Sequence, residues 1–150
     1  MECWRPAKLH SAPSLQYSSR TEDHIVTYQT FIFEVSDGIA TIRLNDPDRL
    51  NALTFETYAE LERVFVAMAD DAAVKVVVLS GTGKGFCSGG SVHEIIAKLI
   101  EMTSEEQHRF TRQTCDVVKH MRTLKKPIIA AVNGIAAGAG AVLASDIRLL

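Results

Sequence analysis

A glycine-rich stretch at residues 81–92 constrains the fold of this chain more than any other part of it. It reads G-T-G-K-G-F-C-S-G-G-S-V, and five of its twelve residues are glycine. A short apolar run, residues 76–79, precedes it, and an amphipathic run starting at Val92 follows it. The order is therefore strand, glycine-rich loop, helix. Because glycine has no Cβ and a helix N-terminus offers unpaired N–H groups, we expect a site that binds a negative oxygen with backbone.

Composition indicates a soluble globular protein. The chain has 150 residues, of which 47% are hydrophobic and 23% charged, and a net charge of −2, so nothing favours nucleic acid or an anionic membrane as a partner. Its cysteines, Cys3, Cys87 and Cys115, are odd in number and unpatterned, which favours neither a disulfide framework nor a metal site. We therefore expect a reducing, cytoplasmic compartment and no metal.

The chain divides into a leader, residues 1–28, and a domain, residues 29–150. The leader has no sustained periodicity, so we expect it to be disordered, although its basic, serine-rich start leaves a mitochondrial transit peptide open. The uncharged stretch at residues 127–144 could imitate a membrane span, and Gly134 and Gly138 have the spacing of helix pairs in lipid. It is rich in alanine and glycine and is split at Asn133, so we predict a strand and a helix instead of a span.

Alternating and helical patterns predict the remaining elements. Apolar residues alternate on both sides of Asp37-Gly38, which predicts a β-hairpin over 31–44, and 45–53 is a loop. Helices are expected from Thr54, from Ser91, from Thr103 and from Gly138, and Ser91 with Glu94 and Thr103 with Glu106 each have the spacing of a capping box. Buried strands are predicted at 75–80 and 128–132, and a last one at 146–150. Because that strand has nothing after it to cover it, we expect the chain to be the N-terminal part of a longer domain.

Two strand–loop–helix units recur, at residues 75–100 and 127–143. Each brings a loop of small residues to the C-terminal end of a strand, where α/β sheets bind ligands. Two such loops, each offering a backbone N–H group, could hold one oxyanion from two sides.

Four segments together resemble the crotonase superfamily, also called the enoyl-CoA hydratase/isomerase family. They are the hairpin, D-P-D-R-L-N-A-L at 46–53, V-V-V-L-S-G-T-G-K-G-F-C-S-G-G at 76–90 and P-I-I-A-A-V-N-G-I-A-A-G-A-G at 127–140. The resemblance runs from Phe31 to Leu150 in matching order. It implies an α/β spiral of ββα units that binds acyl-CoA thioesters. Coenzyme A would then be part of the substrate, with no separate cofactor, and the assembly would be a homotrimer or a hexamer.

The resemblance also implies roles for single residues. Gly90 and Ala139 match the two backbone N–H donors that hold the thioester oxygen in an oxyanion hole. Arg49 matches a basic residue that meets the CoA phosphates. The residues that match the CoA-binding channel are Leu50, Ala52, Ser88, Gly89, Ser91 and Val92.

Three positions depart from the family pattern. Ala139 replaces a usual glycine, but its role needs only the backbone. Ser91 replaces a usual aspartate and caps a helix about as well. Val142 stands where hydratases carry a catalytic glutamate, and valine can neither give nor take a proton. A later catalytic acid, on which the family's isomerases depend, is expected beyond Leu150.

Other interpretations of these residues stay open. A non-catalytic CoA-binding fragment or subunit of the same fold is the alternative that Val142 favours, and a nucleotide-binding oxidoreductase domain is a third. His93 or Glu94 could supply a proton or could only solvate and cap a helix. Cys87 could be a nucleophile or a small buried neighbour of the loop, and Arg49 a phosphate ligand or a solvated charge.

Overall fold

Three parallel strands and an antiparallel extension of two strands form the main sheet of this protein. A computed structural model of the protein describes residues 24–145, and the predicted strand at 146–150 lies outside that range. The strands are β1 His24–Thr27, β2 Phe31–Ser36, β3 Ile39–Leu44, β4 Val76–Gly81, β5 Gly85–Cys87, β6 Ile128–Ala131 and β7 Ile135–Ala136. The sheet has the order β1-β2-β3-β4-β6.

The predicted hairpin is confirmed, and a strand precedes it. Asp37 and Gly38 both have positive φ, 51° and 83°, as a two-residue hairpin turn requires. β1 pairs antiparallel with β2, and β2 with β3. The prediction of an irregular leader up to residue 28 is therefore wrong for His24–Thr27.

The parallel part of the sheet carries the two loops of interest. β3 pairs parallel with β4, and β4 with β6, so β4 and β6 end at the same edge. The connecting helices are α1 Phe55–Ala69, α2 Ala97–Glu101 and α3 Ser104–Thr123, and α4 Ala139–Ser145 follows β7. Thr54 caps α1 and Thr103 caps α3 with a reciprocal capping box, as predicted.

The core lies between the sheet and the pair α1 and α3. α1 contributes Leu61, Val64 and Phe65, all at most 1% exposed, because they recur at helical spacing. The remaining buried apolar side chains that face them from the sheet and from α3 include Ala40, Ile42, Leu44, Val77, Leu79, Val117 and Met121. Phe110 and Val118 of α3 are half-buried.

The segment after the first glycine-rich loop differs from its prediction. It begins with a π-helical turn at Val92–Ile96 before α2. Ser91 accepts a hydrogen bond from the Glu94 N–H, but the predicted capping box is only half formed, because the Glu94 side chain bonds elsewhere. Of the apolar residues that recur there at helical spacing, Ile95 is buried, whereas Val92, Ile96 and Ile100 are 66%, 48% and 80% exposed.

A second small sheet lies inside the two loops. β5 and β7 pair parallel to each other, and neither strand is predicted from the sequence.

Among the described residues, no helix has the length and apolar character needed to cross a membrane.

Candidate functional site

The two small-residue loops meet backbone to backbone. Gly89 has φ 104°, and a Cβ placed on it would lie 3.1 Å from the Ala137 carbonyl oxygen and 3.6 Å from the Ala139 nitrogen. A Cβ on Gly140 would lie only 2.2 Å from the Cys87 carbonyl oxygen. The Ala137 N–H also donates to that oxygen, at 3.0 Å. Glycine is therefore needed at Gly89 and Gly140 because the backbones of the two loops touch there.

Both predicted donors keep a free N–H group. Leu53 pairs with Gly90 in a parallel bridge, in which the Leu53 N–H donates to the Gly89 oxygen and the Ser91 N–H to the Leu53 oxygen, each at 2.7 Å. Such a bridge leaves the N–H of Gly90 itself outside the pairing. Ala139 is the first residue of α4, where an N–H has no intrahelical partner. Within residues 24–145, neither N–H has an acceptor, so each can donate to a ligand.

Two asparagines fasten the first loop. Buried Asn51 adopts the left-handed conformation with φ 55°, which asparagine tolerates. Its amide donates to the oxygens of Thr82 and Gly85, at 2.9 and 2.8 Å, and its Oδ1 accepts from the Asp46 N–H. From the other side, exposed Asn133 donates to the oxygens of Gly83 and Gly85. The sequence does not predict these two roles. For Asn51, the one indication is a polar amide side chain within the otherwise apolar L-N-A segment.

Arg49 is exposed, and two carboxylates bind its guanidinium. Its Nε donates to Asp46 Oδ2 at 2.6 Å, and its Nη1 donates to Glu94 Oε1. The hydrogen bonds to Glu94 and then to Asp46 raise the pKa of Arg49. The two carboxylates therefore balance the positive charge of Arg49, and an anionic ligand would have to compete with Glu94 for it.

The residues predicted to bind CoA lie together around Arg49 and the first loop. Ser88 donates its N–H to the Leu50 oxygen at 2.9 Å and its hydroxyl to the Arg49 oxygen at 3.2 Å. The Ala52 N–H also donates to the Arg49 oxygen, at 3.2 Å. Gly89 and Ser91 are buried, and Val92 is exposed.

A cavity of about 370 Å³ opens beside the second donor. It is lined by Tyr58, Thr114, Cys115, Val117, Val118, Ala139, Val142 and Leu143. Most of these side chains are apolar and none is a carboxylate. Val142, 46% exposed, therefore puts a methyl surface at the position where the resemblance implies a catalytic glutamate in hydratases.

The remaining candidates for chemistry have weak support. Cys87 is fully buried, and burial raises the pKa of its thiol despite a hydrogen bond from the Gly89 backbone. Since the thiolate is the nucleophile, this favours the interpretation of Cys87 as a buried neighbour of the loop. Glu94 is engaged by Arg49, and His93 is exposed. Across residues 24–145, no group of three or more His, Cys, Asp or Glu side chains could hold a metal ion.

Known proteins match this chain over most of its length. The family model described as enoyl-CoA hydratase/isomerase matches residues 34–150. The 1,2-epoxyphenylacetyl-CoA isomerase of Escherichia coli is 34% identical over 110 residues, which are 73% of this chain and 42% of that protein. The short-chain-enoyl-CoA hydratase of Clostridium acetobutylicum is 36% identical over 121 residues, 79% of this chain and 45% of that protein.

Solved structures agree with these sequence matches. A crystal structure from Streptomyces coelicolor A3(2), provisionally named an enoyl-CoA hydratase, aligns with a TM-score of 0.78 and 41% identity over 93% of this chain and 49% of that one. The chain thus spans less than half the length of the curated relatives it matches.

Proposed function

The chain belongs to the enoyl-CoA hydratase/isomerase family, and from that premise we propose that it binds an acyl-CoA thioester through the N–H groups of Gly90 and Ala139. The observation that carries the proposal is the presence of two free backbone donors on adjoining loops, next to a largely apolar cavity. When a proton leaves or reaches the carbon next to a thioester, negative charge develops on the thioester oxygen. Two preorganised N–H groups stabilise that enolate more than they stabilise the neutral thioester.

The CoA portion is proposed to lie along the first loop. Arg49 would bind a phosphate, and the channel residues around Leu50, Ser88 and Val92 would flank the rest of the molecule. A phosphate accepts strong hydrogen bonds from a guanidinium group. A phosphate that displaced the Glu94 carboxylate would therefore still balance the charge of Arg49. Coenzyme A enters as part of the substrate, and no further cofactor is proposed.

Hydration or double-bond isomerisation of an enoyl-CoA, as in fatty acid metabolism, is the proposed reaction. Either reaction needs a group that moves a proton at the acyl chain, and Val142 cannot do so. A specific observation therefore favours a second candidate function. The cavity lining contains no carboxylate, as expected for a CoA-binding fragment or subunit of the same fold without catalysis.

Substitution of Ala139 by proline tests the donor directly. Proline removes the N–H group, and the first position of a helix tolerates it because that N–H has no helical partner. We expect Ala139→Pro to weaken binding of butyryl-CoA about tenfold in calorimetric titration, the upper range for one hydrogen bond. Any turnover of crotonyl-CoA should fall about 10²- to 10³-fold, as for loss of one oxyanion donor.

Ala139→Gly is the matched control, because it changes the same side chain and keeps the N–H group. Binding of butyryl-CoA should stay within about twofold of wild type, since no donor is lost. Equal binding by the proline and glycine variants would contradict the proposed role of Ala139. Turnover of crotonyl-CoA by the 150-residue chain would exclude the non-catalytic candidate.

Location and assembly follow as further parts of the proposal. A cytoplasmic location is supported by the free thiols of Cys87 and Cys115, which a reducing compartment preserves. A homotrimer or hexamer is supported by apolar side chains at the surface near the second loop, where Ile129, Val132 and Ile135 are each at least half exposed. Sedimentation of the purified chain measures its assembly state.

A further inference from the structure

Arg49 contacts the chain on both sides of the Gly90 donor. Its main-chain oxygen accepts a hydrogen bond from the hydroxyl of Ser88, just before Gly90, at 3.2 Å. Its guanidinium Nη1 donates to Oε1 of Glu94, shortly after Gly90. The first contact uses the backbone of Arg49 and the second uses its side chain. A ligand that binds the guanidinium can therefore break the second contact and leave the first intact.

Glu94 connects that guanidinium to the π-helical turn Val92–Ile96. Its own N–H donates to the hydroxyl oxygen of buried Ser91, at 3.2 Å. The Ser91 N–H in turn donates to the Leu53 oxygen at 2.7 Å, within the bridge that positions the first oxyanion donor. The ion pair is thus the outer end of a row of contacts that leads to that donor.

The segment 92–101, which comprises this turn and α2, buries little of its surface. Ile95 is buried, whereas the residues of α2 are half-buried or exposed. From α3, Gln107 donates its side-chain amide to the Leu99 oxygen at 2.8 Å, and Lys98 lies 6.0 Å from the centre of an aromatic ring of α1. Segments with few buried apolar contacts open at a low cost in free energy. One ion pair can therefore change how often this segment opens.

We propose that the Arg49–Glu94 ion pair is a latch that holds the segment 92–101 closed, and that a phosphate of coenzyme A opens it by displacing the Glu94 carboxylate. The inference rests on the proposed function, because it takes Arg49 to be a phosphate ligand. It goes beyond that function in coupling the phosphate end of the ligand to the chain that follows the oxyanion donor. Phosphate and carboxylate both accept charge-assisted hydrogen bonds from guanidinium, so the exchange keeps Arg49 paired and leaves Glu94 to water.

Hydrogen exchange of the backbone amides in 92–101 tests the latch. The probe is adenosine 3′,5′-bisphosphate, which carries phosphates but has no thioester or acyl chain that could cover the segment. Exchange is followed by mass spectrometry in the full 150-residue chain. With the probe at saturation, the segment should exchange about two- to fivefold faster, because an exposed ion pair is weak, while α3 should be unchanged. Adenosine, which lacks phosphate, should leave both unchanged.

Two variants locate the effect in the ion pair. Glu94→Gln removes the carboxylate and keeps the size of the side chain. Without the probe, its segment should exchange about two- to fivefold faster than that of wild type, and the probe should add no further increase. Glu101→Gln is the matched control, because it removes an exposed charge from the same segment. It should exchange and respond as wild type does.

Calorimetric titration of the probe into wild type separates the latch from the proposed function. If the probe binds and exchange of 92–101 stays the same or slows, the latch is overturned and the acyl-CoA function stands. Equal acceleration by Glu101→Gln and Glu94→Gln would also overturn it, because any loss of charge would then loosen the segment. Absence of probe binding would remove Arg49 as a phosphate ligand, and the latch with it. Titration of butyryl-CoA then shows whether the two backbone donors still hold a thioester.

Discussion

The two strand–loop–helix units of this protein share one local pattern but have different surroundings. In the first unit, β4 lies between β3 and β6, and its Val77 and Leu79 are fully buried. In the second, β6 is at the edge of the described sheet, and Ile129 is 52% exposed. The first loop is fastened to the rest of the fold by Asn51 and by the Leu53–Gly90 bridge. The second approaches the first closely, at Gly134 beside the Lys84 oxygen and at Gly140 beside the Cys87 oxygen.

This difference shows how two equivalent donors can depend on unequal support. The Gly90 N–H is positioned by the bridge to Leu53, which is itself fully buried. The Ala139 N–H is positioned by the approach of Gly140 to Cys87, that is, by the first loop. Damage to the first loop should therefore displace both donors. Damage to the contact between the loops should displace the Ala139 donor alone.

The largest effect is expected from Gly140→Ala, which acts on the contact between the loops. Its Cβ would lie 2.2 Å from the Cys87 oxygen and 2.7 Å from the Cys87 Cβ, both too close without a backbone shift. We expect the free energy of unfolding to fall by about 3 kcal/mol, the upper range of the usual cost of overpacking. Urea denaturation measures it. In the first loop, Gly90→Ala is the control, since its Cβ would meet Ile95 at an ordinary 3.6 Å.

Gly90→Ala should change the free energy of unfolding by less than about 0.5 kcal/mol, as for a substitution without a steric conflict. If the two variants unfolded at the same urea concentration, the second loop would not depend on its contact with Cys87. Binding of butyryl-CoA to folded Gly140→Ala is then measured without urea. The result shows whether displacement of Ala139 lowers the affinity.

Asn51 and Asn133 compare the two sides from which the first loop is held. Asn51 is 2% exposed and its amide makes hydrogen bonds to Asp46, Thr82 and Gly85. Asn51→Ala removes those hydrogen bonds and puts alanine at a positive φ, so we expect a loss of about 2 to 3 kcal/mol. Asn133 is exposed, and water can replace its bonds, so Asn133→Ala should cost below about 1 kcal/mol.

Urea denaturation of the two asparagine variants ranks the supports directly. A cost for Asn133→Ala as large as that for Asn51→Ala would mean that the second unit holds the first, and the comparison would be reversed. Both variants keep the same loop sequence, so a difference between them reports the anchoring side chain and not the glycines.

Local sequence patterns predict these units, but not what binds them together. The alternation around Asp37-Gly38 and the caps at Thr54 and Thr103 are local features, and the structure confirms them. β5 and β7 have three and two residues, which is too short for any periodicity to appear. Helical spacing puts Val92, Ile96 and Ile100 on one apolar face, but it does not say whether a partner covers that face.

The candidate site divides in the same way. That the two loops adjoin follows from the order of the strands, because parallel strands end at one edge. The contacts between distant side chains and the loops do not follow, since they join residues far apart in sequence. Asn51 and Gly85 are 34 positions apart, and Arg49 and Glu94 are 45 apart. A hydrogen bond between residues so far apart produces no periodic pattern in the sequence from which it could be predicted.

High pH should act through Tyr58 on α1, which lies outside both units, because residues 128–145 contain no titratable side chain. Burial and then Cys87 raise the pKa of Tyr58 from 10.0 to about 12 in the folded protein. The stability that the neutral phenol contributes is therefore complete below pH 10 and is lost as the pH rises through 12. Between pH 7 and pH 11.5, wild type should lose about 2 kcal/mol more than Tyr58→Phe in urea denaturation. Equal losses would mean that the phenol does not titrate with folding.

The smallest effect is expected from Glu94→Gln, which changes the charge beside the first loop; within residues 24–145, Glu94 forms hydrogen bonds with Arg49 and Ser91 and none with the second loop. Glu94 and Asp46 both bind Arg49, and the carboxylate at Glu94 competes with any phosphate that approaches the guanidinium. Loss of that charge should tighten binding of coenzyme A about twofold to fourfold at low salt, and less at high salt, because exposed ion pairs are weak and screened. Glu101→Gln, which removes an exposed charge further along the same helical segment, is the matched control. If Glu94→Gln bound coenzyme A no more tightly than Glu101→Gln at low salt, Arg49 would not be a phosphate ligand, and the first loop would contribute only its backbone donor.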